Sequence, residues 1–258
     1  MRSDVSTTVT RLRAAGCVFA EDEAELLHAA ARSSAELTEL VERRARGEPL
    51  EVVLGWAKFF GLRTYVVPGV FVPRKRSEFL IRQAARLARQ GAVVLDLCCG
   101  SGAIGAALLS ALGDAELHAA DIDPIAVRCA EANLAPLGAQ VHEGDLYGAL
   151  PASLRGRVDL LVANAPYVPT GSIGLMPPEA REHEPRAALD GGRDGVDVHR
   201  RVAAGARPWL APGGHLLIET SEDQAQRTVE AMTRYGLTAR EARCAEHDAT
   251  VVIGTSRE

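Results

Sequence analysis

The stretch Val93 to Gly105, VVLDLCCGSGAIG, constrains the fold more than any other part of the chain. It joins a run of Val and Leu, the pattern of a strand buried on both faces of a parallel sheet, to Gly100, Gly102 and Gly105 at the mouth of a predicted helix. Glycines there permit positive φ and let backbone N–H groups approach a ligand beside the positive end of the helix. That spacing suits a nucleotide-like ligand, and it suits a plain tight turn as well. Asp121, 16 residues past Gly105 and ending the next predicted strand, shifts the balance toward the ligand. A carboxylate in that place accepts two hydrogen bonds from a ribose diol.

From Ala92 onward the rhythm is strand, helix, strand, helix. Strands are expected at Val93 to Leu97, Glu116 to Asp121, Gln140 to Glu143, Val158 to Ala163 and His215 to Thr220. Asp123-Pro124 offers an N-cap acid and a first-turn proline for a helix toward Leu134. After a helix near Glu222 to Tyr235, the segments Leu237 to Ala242 and Thr250 to Gly254 read as two final antiparallel strands. The fold class is α/β, with a mostly parallel sheet closed by a C-terminal antiparallel hairpin. Upstream, Val5 to Arg46 is rich in Ala, Glu, Leu and Arg at helical spacing and predicts two or three small helices. Arg46 to Leu80, with Gly and Pro punctuation and β-branched and aromatic runs, reads as a short hairpin.

With 258 residues, 47% of them hydrophobic, the chain can fill a core of domain size. A net charge of -5 argues against a broad basic field for nucleic acid, and no direct nucleic-acid binding is expected. The five cysteines form no CxxC pair, so neither a disulfide framework nor a zinc site is expected. Cys98 and Cys99 should leave a strand end on opposite faces and read as packing thiols. The seven histidines form no HxxxH pair, are expected at the surface or in loops, and predict no metal site. With no signal-peptide core and no run of 18 apolar residues, the expectation is a cytoplasmic protein with no membrane partner.

Asp96, inside the first strand, separates two ligand classes. A pyrophosphate would find a carboxylate there repulsive, whereas the cationic methionine moiety of S-adenosylmethionine would be attracted. The alternative role is to cap loop N–H groups, and the two can coexist. In HEGDLYGAL, Asp145 can accept from an adenine amino group while Leu146 covers the ring; a loop Asx turn is the competing reading. The strand Val158 to Ala163 breaks into Asn164-Ala165-Pro166-Tyr167, where Pro166 forbids an extended ladder and can turn Asn164 and Tyr167 into a crevice. A structural Asx turn would look the same.

Taken in order, LDLCCGSGAIG, AADIDPIAV, GDLYGAL, VANAPYVPT and EHEPRAALDGGRDGVDVHRRV resemble the HemK/PrmC family, class I methyltransferases that modify glutamine N5 in peptide-chain release factors. The segment from Arg46 to Arg74 is similar to that family's linker, and the resemblance spans residues 12–255. It implies a seven-stranded Rossmann-like catalytic domain over 81–258, a hairpin linker over 49–80 and an N-terminal helical domain over 1–48 that recognises the substrate. It also implies S-adenosylmethionine as cofactor, with Asp96, Cys98, Gly100, Gly102, Asp121, Ile122, Asp145, Leu146 and Asn164 around it. Asn164, Ala165, Pro166 and Tyr167 would be the catalytic set: the Asn164 side chain and the Ala165 carbonyl would hold the two N–H groups of a glutamine amide while Tyr167 packs on its plane. The chain departs from the family at Ala165, where a first proline is usual. It also departs at Arg74-Lys75-Arg76-Ser77-Glu78, where Arg-Pro-Glu-Thr-Glu is usual. The Lys75-Arg76 pair is expected to be a solvated charge run, and Trp56, Phe59 and Phe60 to pack under the hairpin.

A nucleic-acid methyltransferase acting on an exocyclic amine is a competing reading, because the same Asn-x-Pro-Tyr device suits any planar amine. A silent S-adenosylmethionine-binding regulator is another, resting only on Ala165.

Overall fold

The computed structural model describes residues 2–257. Four helices come first: α1 (Arg2–Ala14), α2 (Ala20–Ala30), α3 (Ser34–Ala45) and the short α4 (Leu50–Leu54). Leu12, Ala20, Ala24, Leu27, Val41 and Val53 close a small core of their own. Ser33 caps α3 by accepting from the Glu36 N–H, a bond of the kind worth about 1 kcal/mol. Strands β1 (Trp56–Phe59) and β2 (Leu62–Tyr65) form the expected antiparallel hairpin. Its two turn residues, Phe60 and Gly61, both have positive φ, as a tight hairpin turn requires.

The main body runs α5 (Glu78–Leu87), β3 (Ala92–Leu97), α6 (Ala103–Leu112), β4 (Ala115–Asp121), α7 (Pro124–Leu134), β5 (Gln140–Glu143) and β6 (Val158–Ala163). It continues with α8 (Pro178–His183), α9 (Arg186–Leu189), α10 (Asp197–Ala206), β7 (Leu210–Thr220), α11 (Glu222–Arg234), β8 (Leu237–Cys244) and β9 (Ala249–Ser256). The sheet order is β5-β4-β3-β6-β7-β9-β8, parallel through β7 and antiparallel at β9 and β8. Every residue of β3 and β6 is buried, which is why both are dominated by Val, Leu and Ala, broken only by Asp96 and Asp159. Alternate residues feed two cores. Val94 joins α5, α6 and α7 on one face, while Leu95 and Leu97 join α10 and α11 on the other. Cys99 and Cys98 divide between the same two cores, as packing thiols would.

The strands run parallel but their order of succession reverses between β3 and β6, so the crevice at their carboxyl ends is the place where open α/β sheets bind ligands. Asp123 caps α7, its Oδ1 accepting from the Ile125 N–H at 2.8 Å with Pro124 behind it. One strand is longer than its pattern predicts. β7 begins at Leu210 and carries Pro212-Gly213-Gly214 through an irregular register against β6. A side chain at Gly214 would lie 2.7 Å from the Val158 carbonyl, so the glycine marks a close backbone approach inside a strand. No helix among the described residues is long and apolar enough to cross a membrane.

Two expectations are corrected. His118 and His199 are neither surface nor loop residues: His118 lies buried on β4, stacked on His142, and His199 is fully buried on α10. The Lys75-Arg76 pair is not simply solvated, because Arg76 Nε reaches Glu219 Oε1 at 3.4 Å and its guanidinium lies over the Tyr167 ring.

Candidate active site

A cavity of about 340 Å3 opens at the carboxyl ends of β3, β4 and β6. Cys98, Gly100, Asp121, Ile122, Asp145, Leu146, Asn164, Ala165, Pro166 and Tyr167 line it, so ten residues singled out in the sequence converge there. Asp96 and Gly102 lie beneath that wall and build the loop instead. Asp96 Oδ2 accepts from the Gly105 N–H at 3.0 Å, pinning the start of α6. A Cβ on Gly102 would lie 2.8 Å from the Leu134 side chain, and φ there is +76°. Gly102 therefore lets the loop sit against α7 in a conformation that L residues rarely adopt.

Asp121 organises the same loop. Its Oδ2 accepts from the Gly100 N–H at 2.8 Å and its Oδ1 from the Asp123 N–H at 3.0 Å. A carboxylate has about four lone-pair sites, so each oxygen keeps one for a further donor. Ile122 beside it is 60% exposed, an apolar face open at the cavity wall. Asp145 is paired with Arg201 at 2.6 Å, both about half exposed.

The carboxyl groups around the cavity share one electrostatic feature. Burial raises Asp96 from 3.8 to about 7, against the Gly105 bond and helped by nearby Asp121. Burial also raises Asp121, Glu184 and Glu219, outweighing the backbone bonds to Asp121 and the arginines beside the two glutamates. Asp96 Oδ1, Glu184 Oε2 and Glu219 Oε2 are buried with no hydrogen-bond partner. Such groups disfavour their own charge and welcome a cation.

An acid whose folded pKa is raised binds its proton more tightly when folded, so its contribution is full below about pH 4 and is lost as pH rises through 7. The melting temperature of the ligand-free protein is expected to fall between pH 5 and 8. Asp96→Asn, which keeps an acceptor for Gly105, should flatten part of that slope in thermal scans. Parallel pH curves for parent and variant would show that Asp96 titrates as it does when unfolded.

The turn after β6 is held from behind. Gln224 Nε2 donates to the Tyr167 carbonyl at 2.7 Å, Val168 N–H to Leu189, and Gly191 N–H to Val168. Gly191 and Gly195 lie directly against this turn: added Cβ atoms would stand 2.7 Å from Tyr167 Cα and 2.4 Å from its carbonyl oxygen. The motif LDGGRDG thereby has a physical role as a clamp on Tyr167. His199 packs against the Tyr167 ring, shares a 3.0 Å bond with Thr228, and is held neutral by burial, its pKa lowered to about 4. Asn164 Nδ2 donates to Ser77 Oγ at 3.3 Å, and no donor among the described residues reaches its Oδ1.

Glu184 anchors the cavity lip. It accepts from Arg74 and from the Val72 N–H and is almost fully buried, so EHEP is a structural joint. Arg44, buried in the helical region, bonds Glu23 at 2.6 Å and Glu179 of α8 at 3.1 Å, tying α2 and α3 to that lip. Sequence reading does not single out Ser77, His199, Glu219 or Gln224. An acid ending a buried strand was the one available signal for Glu219.

The glycine loop, the acidic strand ends and the polar turn after β6, set on this sheet order, define a class I methyltransferase. Residues 63–174 match the methyltransferase small domain family. A release factor glutamine methyltransferase of Geobacter sulfurreducens is 41% identical over 199 residues, covering 76% of this chain and 69% of its own. One of Mycolicibacterium smegmatis is 35% identical over 254 residues, 92% of this chain and 90% of its own. The chain belongs to the release factor glutamine methyltransferase family. A methyltransferase structure from Pyrococcus furiosus shares the fold, with TM-score 0.59 at 15% identity over 88% of this chain and 100% of its own.

Proposed function

We propose that this protein transfers a methyl group from S-adenosylmethionine to the side-chain amide nitrogen of a glutamine in a protein substrate, and that the substrate is a peptide-chain release factor. The observation that carries the reading is the turn Asn164-Ala165-Pro166-Tyr167, clamped from behind in the cavity wall, with no donor among the described residues on Asn164 Oδ1. Family membership supplies the substrate class.

The residues fit the cofactor. Asp121 has acceptor capacity left for a diol, Ile122 and Leu146 offer apolar faces for a planar base, and the raised carboxyls suit a cationic ligand far better than a pyrophosphate. Cys98, Gly100 and Gly102 shape the loop, and Asp96 holds it from below. Asp145 would divide its carboxylate between Arg201 and an adenine amino group.

When bound, the cofactor supplies a methyl group on a positively charged sulfur, already activated for transfer. What the chain must supply is position. An amide nitrogen is a weak nucleophile, since its lone pair is delocalised into the carbonyl. Asn164 Oδ1 and the Ala165 carbonyl accept its two N–H groups and fix its direction, while Tyr167 packs on the amide plane. Held this way by Asn164 and the Ala165 carbonyl, the amide nitrogen would take up the methyl group with the demethylated cofactor as leaving group, and the N–H proton it gives up would pass to solvent. Ala165 retains the carbonyl that a proline would offer.

Residues 1–48, of which no described member lines the cavity, are proposed to recognise the protein substrate, with residues 49–80 linking them to a catalytic domain over 81–258. The test uses labelled cofactor with lysate of the host. Label is expected at glutamine in a release factor, and cross-linking of that substrate should map to α1–α3. Label in RNA or DNA would overturn the reading in favour of an exocyclic-amine enzyme. Asp121→Ala should weaken S-adenosylhomocysteine binding by roughly 1 to 3 kcal/mol in calorimetry, through lost charged hydrogen bonds and a loosened Gly100; parental affinity would remove Asp121 from the cofactor site.

A further inference from the structure

The cavity is charged differently along its wall. Asp121, Asp123 and Asp145 line it beside the glycine loop, whereas Arg74 and Arg76 line it on the side of Tyr167. Both arginines stand between β2 and α5, and both are held in the same way. The Arg74 guanidinium lies over the Phe71 ring, 5.2 Å from its centroid, and bonds the buried Glu184. That of Arg76 lies over the Tyr167 ring, 5.7 Å from its centroid, and meets the buried Glu219. In each case an aromatic face steadies the guanidinium plane and a buried carboxyl group tethers it from within.

Most of the donors are still to be used. A guanidinium carries five N–H groups in a planar fork. Arg76 engages only Nε, 3.4 Å from Glu219 Oε1, and no acceptor among the described residues reaches its Nη1 or Nη2. Its side chain is 43% exposed while that of Glu219 is 2% exposed, so an incoming group meets the fork and not the carboxyl behind it. Arg74 is bonded through Nη2 alone. Burial also holds Glu184 and Glu219 toward their neutral forms, so neither cancels the arginine beside it in full. A positive planar fork with two open nitrogens is matched best by a carboxylate, which takes two parallel N–H···O bonds. A neutral carbonyl would use the donors and leave the charge unanswered, and a cationic side chain would be repelled.

We infer that Arg76, supported by Arg74, is a specificity residue that binds an acidic side chain of the protein substrate close in sequence to the methylated glutamine. Arg76 stacks on Tyr167, the ring proposed to pack on the glutamine amide, so an acid held by it belongs to the same short stretch of substrate. The inference rests on the proposed glutamine methylation for the neighbour that is read, and on the Arg76, Tyr167 and Glu219 contacts for the anion site itself.

The test uses the full chain with saturating S-adenosylhomocysteine and synthetic peptides that share one central glutamine. In a serine background a single glutamate is moved through the positions on either side, and binding is read by fluorescence anisotropy. At one or two neighbouring positions glutamate should bind about 5- to 10-fold more tightly than serine, the scale of a charge-assisted bond at a partly exposed site. Lysine there should bind more weakly than serine. Arg76→Ala should bring the glutamate preference close to unity. Arg76→Glu should invert it in favour of lysine at the same position, a reversal that a merely structural arginine would not produce. A glutamate preference at no position, or one that persists in Arg76→Ala, would overturn the inference. Methylation of the same peptides with S-adenosylmethionine reads the proposed function separately. An Arg76-dependent preference in peptides whose glutamine is never methylated would overturn the glutamine reading and leave the anion site standing, and methylation indifferent to the neighbouring charge would do the reverse.

Discussion

Asn164→Ala is expected to lower methyl transfer by about two orders of magnitude or more, because displacing a nucleophile by about 1 Å already costs roughly a hundredfold. S-adenosylhomocysteine affinity should barely change, since among the described residues the Asn164 side chain bonds Ser77 alone, while the glycine loop is held independently by Asp121 and Asp96. The separation of the two effects is the informative result. Single-turnover methyl transfer measures the first and calorimetry the second. A variant that loses both has lost the floor of the cavity, and Asn164 is then a structural residue. A variant with parental turnover would mean that the acceptor amide is held by other groups. The fold should tolerate the change, because Asn164 is only partly buried and the turn behind it is fastened through Tyr167, Val168 and Gly191.

The contrast between Asn164 and its supports also explains what was legible in the sequence. Strands β3 and β6 announce themselves because burial on both faces demands runs of Val, Leu and Ala, each interrupted by a single buried aspartate, Asp96 and Asp159. Asp121 and Asp123 are legible because each stands at a place where one chemical job is needed, a strand end and a helix N-cap. The Asn-Ala-Pro-Tyr turn is legible because proline punctuates it. Between β6 and β7 the short helices α8 and α9 have little periodicity to read, being barely a turn or two each. Ser77, Gln224 and Glu219 were hidden for another reason. They are polar residues that gain meaning only from partners 87, 57 and 52 positions away. His199 illustrates the same limit, since burial beside Tyr167 makes it neutral and structural where composition suggests a surface group. The strand β7 escaped at its start because Pro212-Gly213-Gly214 normally ends strands, and here Gly214 is needed for contact with Val158.

Gly195→Ala is the substitution expected to do the most damage for the smallest change in mass. The added methyl would stand 2.1 Å from Gln224 Nε2 and 2.4 Å from the Tyr167 carbonyl oxygen, at a φ of +78°. The left-handed conformation alone costs an L residue roughly 1 to 2 kcal/mol. Crowding adds a further 1 to 3 kcal/mol or so, since Tyr167 is backbone and cannot rotate aside. Together these predict a fall in melting temperature on the order of 10 °C for a chain of this size. Gly138→Ala separates the two contributions, because Gly138 has a φ of +81° and nothing within 4 Å of an added Cβ. It should show the conformational cost and little loss of activity. Gly195→Ala should in addition slow methyl transfer by about a hundredfold, because the Gln224 bond breaks and Tyr167 shifts together with Asn164. Cofactor affinity should survive, since Gly195 touches the acceptor side alone. If Gly195→Ala and Gly138→Ala proved alike in turnover, the glycine-rich segment would be a plain turn, and Tyr167 would owe its place to Glu219 and His199.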